Sequence, residues 1–66
     1  METQIKESLI SLLNGIKRSD GEAVAAETSR LDAFLAAGRG SLPAQLTHFL
    51  ERRSYAKALA YLGGTP

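Results

Sequence analysis

The sequence predicts an all-α fold, a small up-down helical bundle of three helices, with a short fourth helix after Ser54 as the alternative. Three observations support this fold class. Apolar residues recur at intervals of three and four over most of the chain, which is typical of amphipathic helices. No segment alternates polar and apolar residues as a half-buried strand does. Clusters rich in glycine, serine and aspartate separate the apolar segments and predict short links.

The first predicted helix covers about residues 3–17. Thr3 is a residue type that caps helix N-termini, and Lys17 and Arg18 place positive charge where it favours a helix C-terminus. Residues at helical spacing give this segment an apolar face, which we expect to lie in the core. This stripe consists of Ile5, Leu9, Leu12, Leu13 and Ile16, and Ile10 widens it.

The second predicted helix covers about residues 21–37. Ser19 and Glu22 have the spacing of a capping box, while Asp20 is a second candidate for the cap. Gly38 is expected to end the helix in a left-handed conformation, because glycine adopts positive φ without steric cost. The apolar stripe consists of Val24, Leu31, Phe34 and Leu35, with alanines at neighbouring positions that allow close helix packing.

A third helical pattern follows the link formed by residues 38–40. Ser41 is expected to cap it, with Pro43 in the first turn, where a missing backbone N–H is tolerated. Either this helix continues unbroken, or Ser54 interrupts it and caps a fourth short helix over about residues 55–62. The apolar positions of this pattern are Leu46, Phe49, Leu50, Tyr55, Ala58, Leu59 and Leu62.

Size and composition predict one domain of marginal stability. The chain has 66 residues, of which 44% are hydrophobic and 23% charged, and it contains no cysteine. A domain of this size buries only about 60% of the surface that its unfolded chain exposes, and here no disulfide or thiolate metal site adds stability. We therefore expect a single helical domain over residues 1–62, a frayed C-terminal tail over residues 63–66, and either very regular packing or a homodimer.

The sequence predicts neither a membrane protein nor an enzyme. No apolar segment approaches the roughly 20 residues of a membrane span, and the N-terminus lacks the features of a signal peptide, so a cytoplasmic protein is expected. His48 is the only histidine, and Ser41, considered as its partner in a nucleophile–base pair, lies seven positions before it. Because cysteine is lacking and the carboxylates are scattered, no catalytic residue, metal site or cofactor is expected.

The candidate binding residues lie in the basic half of the chain. Residues 1–33 contain four basic and six acidic side chains, whereas residues 34–66 contain four basic and one acidic. Arginine and tyrosine are enriched at the energetic centres of protein interfaces, although the two tyrosines fit the edge of a core equally well. A glycine-rich turn before a helix can bind an anion, although a simple helix link is favoured here. The candidate partner-binding residues are Arg52, Arg53, Tyr55, Lys57 and Tyr61, and the candidate anion contacts are Arg39 and Ser41.

These observations lead to two main hypotheses about function. The leading one is a small non-enzymatic protein–protein interaction or self-association module, and an accessory subunit of a larger assembly is a close variant of it. The alternative is a weak nucleic-acid-binding helical domain that uses Arg52, Arg53 and Lys57. It is less favoured because nucleic-acid-binding domains usually carry a larger basic surface and a pI above about 9. This chain has a pI of about 8.2.

Overall fold

The structure, a computed structural model, describes residues 2–64 and contains four α-helices. These are α1 (Glu2–Lys17), α2 (Gly21–Gly38), α3 (Ala44–Glu51) and α4 (Tyr55–Tyr61). The described residues contain no β-strand, so the predicted all-α fold class is confirmed. Within the same residues, no helix combines the length and the apolar character needed to cross a lipid bilayer.

The four helices pack in a ring. α1 lies against α2 and α4, and α3 closes the ring by packing against the same two helices. Gly15, near the end of α1, faces α2 so closely that a Cβ built on it would lie 3.3 Å from Cγ2 of Val24. A residue without a side chain therefore lets the two longest helices approach each other. α4 runs back along another side of α1, with its first turn beside the C-terminal half of α1 and Leu62 beside Thr3.

Every helix contributes to one apolar core. The core side chains are almost all leucine or isoleucine, and each is at most 8% exposed. Fully burying one side chain of this size is worth about 1.5–3 kcal/mol, so a chain this short depends on all four helices to assemble its core. All of the core positions belong to the predicted stripes. They are Ile5, Leu9, Leu12, Leu31, Leu35, Leu46, Leu50, Ala58 and Leu59.

Two residues of the predicted α1 stripe, Ile10 and Ile16, are exposed rather than buried in the core. Ile16 is 54% exposed, although its spacing from Leu9 and Leu12 is helical. The reason is its position in the last turn of α1, where it borders an open groove rather than a neighbouring helix. Leu13, one turn before it, is half-buried against the edge of the core. The apolar face of α1 is thus wider than the surface that the other helices cover.

Three helices end in the same hydrogen-bonded arrangement, the Schellman motif. In each, the residue after the last turn adopts the left-handed conformation, with φ of 55° at Ser19, 58° at Arg53 and 84° at Gly63. Glycine is the usual residue here, because a side chain is strained at positive φ. Two of the three helices therefore end at a residue that adopts this conformation despite its side chain. The closing bonds run from the N–H of Asp20 to Gly15 O (2.8 Å), of Ser54 to Phe49 O (2.9 Å) and of Gly64 to Leu59 O (3.0 Å).

α2 ends differently from the prediction. Gly38 is buried and still helical, so the expectation that it adopts the left-handed conformation is wrong. The chain instead makes a type II β-turn, with Arg39 at φ −60° and ψ 120° and Gly40 at φ 95°. The N–H of Ser41 closes the turn on Gly38 O at 2.8 Å. This turn type requires positive φ at its third residue, which is why Gly40 rather than Gly38 adopts the positive φ.

Two predicted N-terminal caps are also corrected, and of the two candidates for the cap of α2 the structure selects Asp20. Asp20 rather than Ser19 caps α2, because its Oδ1 accepts a hydrogen bond from Ala23 N at 3.2 Å while Ser19 belongs to the end of α1. Ser41 does not cap α3, since the helix begins after Pro43 and no side chain among residues 2–64 accepts a hydrogen bond from its first backbone N–H groups. Thr3 lies inside α1, which begins one residue earlier.

The segment predicted as a frayed tail begins with an ordered helix end. Gly63 and Gly64 donate their backbone N–H groups to Ala60 O and Leu59 O and so close α4. Met1, Thr65 and Pro66 lie outside the described residues. The last two described residues therefore satisfy carbonyl groups that α4 would otherwise leave unpaired.

The left-handed conformation of Ser19 gives a first prediction. Replacing Ser19 by glycine removes the steric cost of positive φ, which exceeds the extra chain entropy that glycine has when unfolded. We expect Ser19→Gly to raise the free energy of unfolding by about 0.5–1 kcal/mol, measured by urea denaturation. Ser29→Gly, at an exposed position inside α2, is the control and should lower it by about 0.5 kcal/mol. A loss of stability in both variants would contradict the assigned conformation.

The buried hydroxyl of Ser8 gives a second prediction. Ser8 is 1% exposed, and its Oγ has no hydrogen-bond partner among residues 2–64. Burying an unpaired hydroxyl costs about 1–3 kcal/mol, and alanine is also the better helix former. We expect Ser8→Ala to raise the free energy of unfolding by about 1 kcal/mol or more. Ser11→Ala, at an exposed position of the same helix, measures the gain from the higher helix propensity of alanine alone. An equal gain in stability in both variants would mean that burial of the Ser8 hydroxyl has no cost.

Candidate interaction surface

A shallow groove runs along the surface where α1 and α4 meet. Its larger part has a volume of about 460 Å³ and is lined mainly by Ile10, Leu13, Ile16, Lys17, Ala56 and Leu59. An adjoining part of about 370 Å³ shares Leu13, Ile16 and Ala56 with it and adds Arg53, Ser54, Tyr55 and Lys57. Because the two parts share three residues, they form one continuous depression. We call these residues together the α1–α4 groove.

The groove concentrates the exposed apolar surface of the molecule. Among the described residues, three large apolar side chains are exposed: Ile10 at 41%, Ile16 at 54% and Tyr61 at 44%. The two isoleucines both line the groove. On an α-helix each residue turns about 100°, which places Ile10 on the side of α1 opposite the core residues Ile5 and Leu12. Single exposed apolar residues are ordinary, but two on one groove form a surface that association would remove from water.

The charged side chains that line the groove are all basic. Lys17 is contributed by α1, Arg53 by the link before α4, and Lys57 by the first turn of α4. Among the residues that the structure describes, no Asp or Glu lines either part of the groove. Within residues 2–64, Lys17 and Lys57 make no salt bridge. The groove thus combines an apolar surface with positive charge at the end where α1 finishes and α4 begins.

Arg53 is the most constrained of these basic residues. Its Nη1 donates a hydrogen bond to the Tyr55 hydroxyl at 2.9 Å, and its Nη2 lies 3.7 Å from Oδ2 of Asp32 on α2. The hydrogen bond to Tyr55 and the nearby Asp32 carboxylate raise the pKa of the guanidinium above its ordinary value. Arg53 therefore stays positively charged at any physiological pH, and part of that charge is balanced by Asp32.

The structure separates the predicted partner-binding residues into two groups. Arg53, Tyr55 and Lys57 line the α1–α4 groove. Arg52 is exposed at the end of α3 and lines neither part of the groove. Tyr61 lies at the far end of α4, with its ring edge-on to Phe49 at 6.3 Å between centroids. The tyrosines also differ in burial, since Tyr55 is half-buried against the core whereas Tyr61 is 44% exposed.

The candidate anion contacts lie at the turn between α2 and α3. Nη1 of Arg39 donates a hydrogen bond to Oε2 of Glu51 at 2.6 Å, which joins the turn to the last residue of α3. The backbone N–H of Ser41 is used by the carbonyl of Gly38. The positive charge of Arg39 is therefore balanced by a carboxylate, and the turn amide that could bind an anion already has an acceptor.

The predicted binding residues leave out the exposed apolar and basic side chains that α1 contributes to the groove. The helical pattern places Ile10 and Ile16 in the core stripe, and Lys17 is predicted only to stabilise the helix end. A sequence signal existed for Ile10, because it lies opposite the centre of the stripe formed by Ile5 and Leu12. No comparable signal existed for Ile16, whose exposure depends on how α4 packs.

Other surface features offer less to a ligand. A depression of about 510 Å³ between α1 and α2 is lined by polar and charged residues of both signs, including Arg18 and Glu27, and by none of the exposed large apolar side chains. His48 is exposed on α3, with its ring 6.2 Å from that of Phe49. In the part of the chain that the structure describes, no three His, Cys, Asp or Glu residues group together as a metal site would require.

Comparisons of the chain with protein-family models, with curated protein sequences and with solved structures give no match.

The exposure of the groove isoleucines gives a third prediction. Serine has a helix propensity close to that of isoleucine, so Ile10→Ser and Ile16→Ser test burial alone. We expect each to change the free energy of unfolding by less than about 1 kcal/mol, whereas Leu12→Ala, which opens a cavity in the core, should lower it by about 2–5 kcal/mol. Urea denaturation followed by circular dichroism measures all three. If Ile16→Ser lowered the free energy of unfolding as much as Leu12→Ala does, Ile16 would be a core residue.

Proposed function

We propose that this chain is a small non-enzymatic protein-interaction module whose contact surface is the α1–α4 groove. The observation that carries the proposal is the placement of Ile10 and Ile16, two of the three exposed large apolar side chains among the described residues, on one groove. Removing apolar surface from water is the main driving force of protein association. Tyr55 and Arg53 at the same groove are residue types that contribute strongly at interfaces.

A protein partner accounts for this surface better than a nucleic acid does. Binding to nucleic acid depends on basic side chains that are available to phosphates, and its strength grows with their number. Of the residues considered for this role, Arg53 already lies 3.7 Å from the carboxylate of Asp32, and Arg39, the candidate anion contact, faces Glu51. The remaining positive charge borders an apolar groove, which phosphates would not cover. We also propose that the protein acts in the cytoplasm, as the sequence predicts.

Self-association and a separate partner are two forms of the same proposal. A second copy could cover the groove, because a chain this short gains stability from burying more apolar surface. Sedimentation velocity over a hundredfold range of protein concentration separates the two forms. A dimer that forms as the concentration rises identifies a second copy, and a monomer throughout directs the search to another protein.

Affinity capture tests the proposal, with the tagged chain as bait in an extract of the cells that encode it. The groove variant Ile10→Ser/Ile16→Ser should lose the proteins that the wild type retains, and the dissociation constant of a purified partner should rise at least tenfold, equivalent to about 1.4 kcal/mol. The matched control is Ala26→Ser/Ala33→Ser, which introduces the same residue at two exposed positions of α2.

Affinity capture and sedimentation of the groove variant are compared with those of the α2 control. Loss of a partner, or of a dimer, in the groove variant but not in the α2 control supports the groove as the contact surface. If the wild type and both variants retain the same proteins and sediment alike, the groove is not the contact surface and the proposal fails.

A further inference from the structure

We infer that the partner of the α1–α4 groove is an amphipathic helix of another protein that carries acidic residues at one end of its apolar face. This inference rests on the proposed function and names the chemistry of the partner. Its three supports are the shape of the groove, the sign of the charges that line it, and the poor match that a second copy would offer.

The shape of the groove fits a helix. It lies between two neighbouring helices, with Leu13 and Leu59 lining its centre and the two exposed isoleucines on the α1 side. On the α4 side Ala56 lines both parts of the groove, and its short side chain lets a partner backbone approach closely. A helix that docks in such a groove presents apolar anchors at positions i, i+3 or i+4, and i+7.

The charges that line the groove indicate which charge the partner helix carries and at which of its ends. Lys17, Arg53 and Lys57 all lie where α1 ends and α4 begins, and among residues 2–64 no carboxylate lines the groove. The opposite end, beside Ile10, carries none of these three cations. A bound helix therefore gains from Asp or Glu at the end that faces Lys17 and Lys57, which make no salt bridge within residues 2–64, and loses from Lys or Arg there. The first turn of a helix is also where acidic residues stabilise the helix itself, so an acidic N-terminal turn serves both purposes.

A second copy of this chain matches the groove less well. Of the three large apolar side chains exposed within residues 2–64, only Ile10 has a carboxylate within one turn on the same helix, that of Glu7. α4, which carries Tyr61, contains no acidic residue. A second copy would thus offer one negative charge near an exposed apolar side chain, against two groove lysines, Lys17 and Lys57, and the partly balanced Arg53.

Two stapled helical peptides with the same leucine anchors test the inference. One has glutamates in its first turn and the other has lysines at the same positions, and fluorescence anisotropy measures their binding to the full chain. The acidic peptide should bind about tenfold more tightly at low salt, since two or three exposed ion pairs each contribute about 0.2–1 kcal/mol. This preference should shrink as salt rises, because the charges are exposed to solvent.

Two charge-reversal variants with the same net charge show whether the basic residues of the groove cause the preference for the acidic peptide. Lys17→Glu/Lys57→Glu should abolish or invert it, whereas Arg30→Glu/Arg52→Glu, which alters exposed residues outside the groove, should leave it nearly unchanged. Ile10→Ser/Ile16→Ser should weaken the binding of both peptides by the same factor. A preference that both charge variants lose equally would reflect net charge alone and overturn the inference, as would equal binding of the two peptides.

Two further results would also overturn the inference. One is binding of a DNA duplex that Ile10→Ser/Ile16→Ser leaves intact and that displaces the acidic peptide. The other is a dimer that depends on the groove isoleucines and excludes the acidic peptide. If a natural partner needs the isoleucines but the peptides bind equally, the charge assignment fails while the proposed function stands.

Discussion

The turn at Arg53 is the constraint on which the rest of the packing depends. Without it, α3 and α4 would form one helix from Ala44 to Tyr61, about 27 Å long, and Leu59 would point away from the residues of α1 that it now covers. The left-handed conformation of Arg53 costs on the order of 1–3 kcal/mol. Backbone bonds from Arg53 N to Leu50 O and from Ser54 N to Phe49 O offset part of this cost, and the side chain adds a hydrogen bond to Tyr55. The reversal returns the chain to α1 and completes the core.

The same reversal creates the groove. α4 packs along α1, with its first turn beside Leu13 and Ile16 and its end beside Thr3, and it leaves one flank of α1 open. The isoleucines on that flank, Ile10 and Ile16, therefore remain on the surface. Arg53, which makes the turn, also supplies one of the cations at the groove. In this molecule the break that closes the core and the surface proposed for binding have one structural origin.

The sequence predicts the core of this protein better than its turns. The spacing of Ile5, Leu9 and Leu12 places them correctly because helical geometry alone decides which residues share a face. Helix ends are harder, because several conformations satisfy the same backbone groups. Ser19 and Arg53 adopt positive φ where residue type gives no indication, and Gly40 reverses the chain where Gly38 was expected to. The groove was the least predictable feature, since the exposure of Ile16 depends on where α4 lies, which no local pattern determines.

A partner in the groove would also affect the stability of the fold. A ligand that binds the folded chain and not the unfolded one stabilises it in proportion to the logarithm of its concentration over its dissociation constant. Here the bound helix would touch α1 and α4 at once, so its binding energy would add to the contacts that Ala58 and Leu59 make within the core. α4 is short, and short helices gain most of their stability from packing rather than from their own hydrogen bonds. The element that forms one wall of the groove is thus the element that a partner would stabilise most, which couples occupation of the groove to the order of α4.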